Sequence, residues 1–152
     1  MANASRLDAR VLIASEDRAL LLGLSELLRE HAPDVLEAGS RSVLDAVNRH
    51  PGLRLLIICE SGLDSAALDL LQTVKELRDD LAVLLISAHP TIEHAAESIR
   101  RGAEDFVPVP YSTEIVRKKV ARILEAAELR DRVARELQTW TKTVDDAGIA
   151  KQ

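Results

Sequence analysis

Leu53-Arg54-Leu55-Leu56-Ile57-Ile58-Cys59 reads as a strand buried on both faces. Its apolar run is continuous, whereas a half-exposed strand would alternate. Continuous apolar strands belong to parallel sheets covered by helices on both sides. Residues 81–87 have the same character, a shorter apolar run stands at 11–14, and a weak strand at 35–38 and a short one at 105–108 complete the set. Apolar residues at helical spacing fill the intervals, predicting helices over 19–31, 41–49, 65–78, 91–101 and from Ser112 to about Trp140. Gly102 is placed to close the fourth helix, and Glu114 stands in the first turn of the fifth. Five strand–helix units joined by right-handed crossovers predict an α/β, three-layer, doubly wound sheet of five parallel strands. Ligand chemistry in such folds sits at the carboxyl ends of the strands, here Ser15-Glu16-Asp17, Cys59-Glu60, Ser87-Ala88-His89 and Val109-Pro110.

The composition agrees. Leu and Ala supply 45 of 152 residues, and both favour helix. Apolar residues make up 47%, enough for one sizeable core, which excludes wholesale disorder. Only Phe106, Tyr111 and Trp140 are aromatic, which argues against a β-sandwich and against base-stacking platforms. Net charge is −5, from −7 over residues 1–111 and +2 over 112–152, so no basic footprint for nucleic acid is present. One cysteine excludes an intrachain disulfide and a cysteine-based zinc site. The first ten residues have no apolar core of a leader peptide, and apolar runs of about six residues are far too short for a membrane span. A cytoplasmic protein is expected.

Residues 1–126 are expected to form the body, 127–144 a helical extension, and 145–152 a polar tail. Along the extension Ala126, Leu129, Val133, Leu137 and Trp140 form a narrow apolar stripe at spacings of 3, 4, 4 and 3. Such a stripe suits either a two-helix seam or packing back on the body.

Between Thr91 and Tyr111 the chain reads Thr-Ile-Glu-His-Ala-Ala-Glu-Ser-Ile-Arg-Arg-Gly-Ala-Glu-Asp-Phe-Val-Pro-Val-Pro-Tyr. This segment resembles the receiver domain of bacterial two-component response regulators, which show a helix, then Gly-Ala-x-Asp-aromatic, then Lys-Pro-aromatic. Ser87-Ala88 also fits, and the resemblance spans roughly residues 10–126. It implies a flavodoxin-like receiver fold with strand order 2-1-3-4-5 and a cis bond at Val109-Pro110. A receiver-like body running into a long helix is similar to the N-terminal part of sigma-54-dependent transcriptional activators.

The chemistry of the matched positions departs from the family. The phosphoacceptor Asp position falls on Cys59, the acidic pair that binds Mg²⁺ falls on Ser15 and Glu16 with Asp17 following, and the Lys position falls on Val109. Phosphoryl transfer needs a hard cation and positive charge on the equatorial oxygens. Three replacements in one pocket imply a pseudo-receiver that acts through protein contacts, with no cofactor and no metal. Ser87 and Phe106 match the switch hydroxyl and aromatic, and also read as plain packing residues.

The resemblance implies an output face over residues 91–101, 105–108 and 112–124, with Phe106 and Tyr111 on it. The partners it implies are a signalling kinase, a transcription component, or a second copy docked through the 91–124 face or the C-terminal helix. Two alternatives remain open: a displaced phosphoacceptor at Glu60 or Asp64, and a small enzyme using Cys59 as a thiol nucleophile. Glu60 reads either as a mimic of a phosphorylated Asp or as a solvated loop acid. Glu16 and Asp17 read as weak cation ligands or as acids favoured at a helix N-terminus. Of His31, His50, His89 and His94, only His89 is placed near the pocket by sequence.

Overall fold

The computed structural model describes residues 10–29, 34–60 and 66–147 of the chain. Its strands are β1 (Val11–Ser15), β2 (Val35–Ala38), β3 (Leu55–Glu60), β4 (Ala82–Ser87) and β5 (Asp105–Pro108). Its helices are α1 (Arg18–Leu28), α2 (Val43–Arg49), α3 (Ala66–Leu77), α4 (Ile92–Arg100) and α5 (Thr113–Ala147), with a short 3-10 turn, Ser40–Ser42, before α2. The five strands form one parallel sheet in the order β2-β1-β3-β4-β5, as expected. The fold is the flavodoxin-like receiver fold.

Continuous apolar strands acquire their meaning in the two cores. Successive strand side chains point to opposite faces. Val11, Ile13, Leu55, Ile57, Leu84 and Ile86 therefore meet Leu24 and Leu28 of α1 and Val116, Val120 and Ile123 of α5. Leu12, Leu56, Ile58, Val83 and Leu85 meet Val43 and Val47 of α2 and Leu68, Leu71 and Val74 of α3. Each fully buried Leu or Ile contributes about 1.5–3 kcal/mol, so these two layers hold the sheet.

Two element boundaries differ from the sequence reading in ways that matter. β3 begins later than residue 53 and runs through Glu60, which pairs in register with Ser87. Glu60 is therefore a strand residue and is buried, not a solvated loop acid. α5 runs unbroken to Ala147, past the expected stop near Trp140 and into the expected polar tail. No glycine or proline interrupts residues 113–147. Residues 1–9 and 148–152, His31 and Asp64 lie outside the described residues.

α4 is capped by Thr91, whose hydroxyl accepts the His94 amide at 3.0 Å, and Gly102 ends it with φ at 111°. α5 is fastened to the body as far as Asp131, which meets Arg54 at 2.7 Å. Beyond that point it projects; at about 1.5 Å per residue the whole helix is roughly 52 Å long. Leu129, Val133, Leu137 and Trp140 are all exposed. Leu129, Val133 and Trp140 lie roughly 120° or more around the helix from buried Val120 and Ala127, and Leu137 roughly 80–100°. The stripe therefore does not pack back on the body. Among the described residues no helix is long and apolar enough to cross a membrane.

Candidate functional site

Sheet order reverses between β1 and β3, and a crevice at the strand ends follows from that reversal. A cleft of about 440 Å³ lies there, lined by residues including Ser15, Glu16, Ser40, Arg41, Cys59 and Glu60. β1 places Ser15 directly beside Cys59 of β3. The Cys59 side chain joins the core layer of α1 and α5, and Val109 and Tyr111 pack against the same layer. Ser15, Cys59 and Val109, matched one by one in the sequence, thus fall on one side of the sheet. The Val109-Pro110 bond is cis, as expected.

The chemistry of this group is muted. Burial pushes the Cys59 thiol up to about 12, against the opposing pull of a Ser15 hydrogen bond. A buried thiol held neutral is a poor nucleophile and a poor metal ligand. Tyr111 is raised above its ordinary value, first by burial and then by Cys59.

The acids beside it serve the backbone. Glu16 binds Ser40 through both the amide, at 2.8 Å, and the hydroxyl, and these bonds lower its pKa. Asp17 is the N-cap of α1 and accepts the Leu20 amide at 3.2 Å. The Ser15 hydroxyl is tied to the Asp17 backbone at 3.0 and 3.1 Å. Mg²⁺ asks for several hard oxygen ligands, preferably carboxylates. A serine, a neutral thiol and two carboxylates already engaged do not fit that ion.

Glu60 lies on the opposite face, because it follows Cys59 in the pleat. Its carboxylate is buried and accepts the Ser87 hydroxyl at 3.3 Å through Oε1. His94 Nε2 of α4 stands 2.7 Å from its Oε2. His94 in turn meets the edge of Phe106 of β5, with ring centroids 5.8 Å apart. Ser87 also accepts the His89 amide at 3.1 Å, so its hydroxyl is held from two sides.

The structure corrects the sequence reading here: His94, not the exposed His89, reaches the site. Phe106 packs with the α2–α3 layer and Tyr111 with the α1–α5 layer. His94 was legible only through folding, since 34 residues separate it from Glu60. Strand alternation did hold a signal for Glu60. Extending Leu56 and Ile58 by two residues puts Glu60 on their face of the sheet.

No family model matches the chain. It is 36% identical over 94 residues to the nitrogen assimilation regulatory protein NtrX of Azorhizobium caulinodans, covering 62% of this chain and 20% of that protein. It is 33% identical over 105 residues to the response regulator protein TodT of Pseudomonas putida, covering 68% of this chain and 46% of that protein. The chain spans less than half the length of the curated relatives it matches. Among solved structures, the beryllofluoride-activated DrrB receiver domain shares the fold with a TM-score of 0.68 and 22% identity, covering 77% of this chain and 97% of that one.

Proposed function

The chain is a receiver domain of the two-component response-regulator kind, and from that premise we propose that it works without phosphorylation, as a protein-interaction module. The observation that supports this most is the Cys59 position. On the sequence match that sets Cys59 at the family's phosphoacceptor position, the group there is a buried thiol pushed up to about 12, paired in register with Ser15 and in the core layer that Val109 packs against. None of Ser15, Cys59 and Val109 supplies the carboxylate nucleophile, the cation ligands or the positive charge that phosphoryl transfer asks of those positions.

The alternatives fare less well. Glu60 is buried and engaged with Ser87 and His94, which leaves it ill placed to attack a phosphodonor. An enzyme built on Cys59 needs a thiolate, which burial opposes. Asp64 lies outside the described residues.

The partner reading follows from the exposed apolar side chains. Ile92 and Ile99 of α4 and Ile115 of α5 stand out on the 91–124 face and suit a protein partner, either a signalling kinase or a transcription component. The stripe on α5 suits a second copy. With Val144 it runs at 3, 4, 4, 3 and 4, an eleven-residue repeat that keeps one apolar seam along a helix. Glu125 and Arg130 flank the stripe on opposite sides, five residues apart. In a parallel pair each Glu125 then faces the other chain's Arg130. An acidic body argues against direct contact with nucleic acid, and the setting we infer is cytoplasmic.

The test is chemical. Incubation with acetyl phosphate or beryllofluoride plus Mg²⁺ is expected to leave the intact mass, and the spectrum of the folded chain, unchanged. A Mg²⁺-dependent gain of one phosphoryl group, lost in E60Q or D64N, would overturn the reading.

A further inference from the structure

α4 has little apolar holding. Its only buried residue is Ser98, whose hydroxyl bonds within the helix, to the Ala95 carbonyl at 2.7 Å. Its large apolar side chains face outward, with Ile92 86% and Ile99 49% exposed. At its C-terminal end, Arg101 reaches Asp69 of α3 at 3.1 Å, but the Asp69 side chain is largely solvated. Exposed ion pairs of this kind contribute little. What ties its N-terminal half to the sheet is His94, and the partner of His94 is the Glu60 carboxylate, whose side chain is only 4% exposed.

Glu60 has the opposite need. A carboxylate removed from water is costly unless it is paired and hydrogen-bonded. The Ser87 hydroxyl supplies one bond, and His94 supplies either a second bond or, with both ring nitrogens protonated, an ion pair. His94 then rests on Phe106. One carboxylate at the end of β3 thereby gathers the end of β4, the helix α4 and, through the imidazole, β5.

We propose that Glu60 is a built-in latch, holding α4 through His94 so that the exposed α4–β5 surface keeps a single arrangement with no covalent modification. The latch rests on the phosphorylation-independent reading for its purpose, since a domain switched by phosphorylation has no use for a permanent tie. Physically it is a positioning device. Glu60 touches no partner itself, and acts by fixing the helix that presents Ile92 and Ile99.

Amide hydrogen exchange on the full chain tests it, comparing α4 amides with those of β1 and β3 in wild type, E60Q, H94Q and the double variant. The expected result is that E60Q and H94Q each speed α4 exchange by roughly tenfold or more relative to β1 and β3. The double variant is expected to add little beyond either single change, as for two residues of one interaction. Should E60Q fail to fold, H94Q decides alone, because it leaves the Ser87 bond to Glu60 in place. Speeding of α4 no greater than that of β1 and β3 in every folded variant would overturn the latch, as would fully additive effects. Repeating the wild-type measurement with beryllofluoride and Mg²⁺ separates the two readings. A change there defeats phosphorylation independence, while the latch is still judged by the variants.

Discussion

Cys59 and Glu60 are adjacent in β3, and the pleat sends their side chains to opposite faces of the sheet. Their fates follow from their neighbours. Cys59 meets apolar side chains and a serine, and burial holds its thiol neutral. Native protein is therefore expected to resist iodoacetamide at mildly alkaline pH and to react only once denaturant is added, read by intact mass. Stoichiometric labelling of the native chain would contradict this.

A stability slope follows as well. In the unfolded chain the thiol ionises near 9.0, and in the folded chain near 12. Between those values the unfolded state has released a proton that the folded state keeps. Stability is then full below the lower value and falls as pH rises, by up to about 1.4 kcal/mol per unit. Urea midpoints above pH 9 are expected to drop less steeply in C59A than in wild type. The cysteine's place in the pocket was countable from sequence. Its inertness was not, because burial depends on Val109, Tyr111 and α5, which come from distant parts of the chain.

At the scale of elements, ends matter more than interiors. Thr91 accepts the His94 amide and so starts α4 at the residue that leaves His94 one turn in, over Glu60. T91A is expected to cost about 1 kcal/mol, the usual loss for a hydroxyl cap, measured by urea unfolding. Gly102 has φ at 111°, and a Cβ there would stand 3.1 Å from Lys75 Cγ. G102A is expected to cost about 1–2 kcal/mol, mainly from backbone strain.

β5 is anchored to α5 where Lys119 binds Asp105. Burial raises the Asp105 pKa, but the bonds from Lys119 and the Phe106 amide, with the charges of Lys119 and Arg122, outweigh it and leave it lowered. A depressed carboxylate stabilises the fold above its unfolded value and loses that contribution as pH falls. D105N is therefore expected to flatten part of the acid-side decline in stability. Both helix signals, the threonine and the glycine, were legible in the sequence. The Lys119 partnership, 14 residues away across a turn, was not.

Over the whole molecule, the body and the projecting end of α5 obey different rules. The body closes both faces of its sheet, whereas the second half of α5 leaves Leu129, Val133, Leu137 and Trp140 in solvent. If a second copy covers that seam, light scattering after gel filtration should give twice the 16.7 kDa of one chain. V133E with L137E should then halve that mass without lowering the thermal midpoint of the body. A wild-type monomer at high micromolar concentration would remove the seam from the partner reading.

The sequence by itself determined the sheet, its five strand–helix units and the receiver pattern. Continuous apolar strands, helical spacing and turn residues are local signals, and each can be read within a few residues. It also supplied the identities of Ser15, Cys59 and Val109, which need no geometry to read. Only the tertiary structure decided what the remaining groups do. It turned Glu16 to Ser40, paired Glu60 with Ser87 and His94, and left the α5 stripe in solvent. Those outcomes depend on which distant groups share a dry or a wet environment. A charged side chain finds its partner through burial, and burial is a property of the packed chain as a whole.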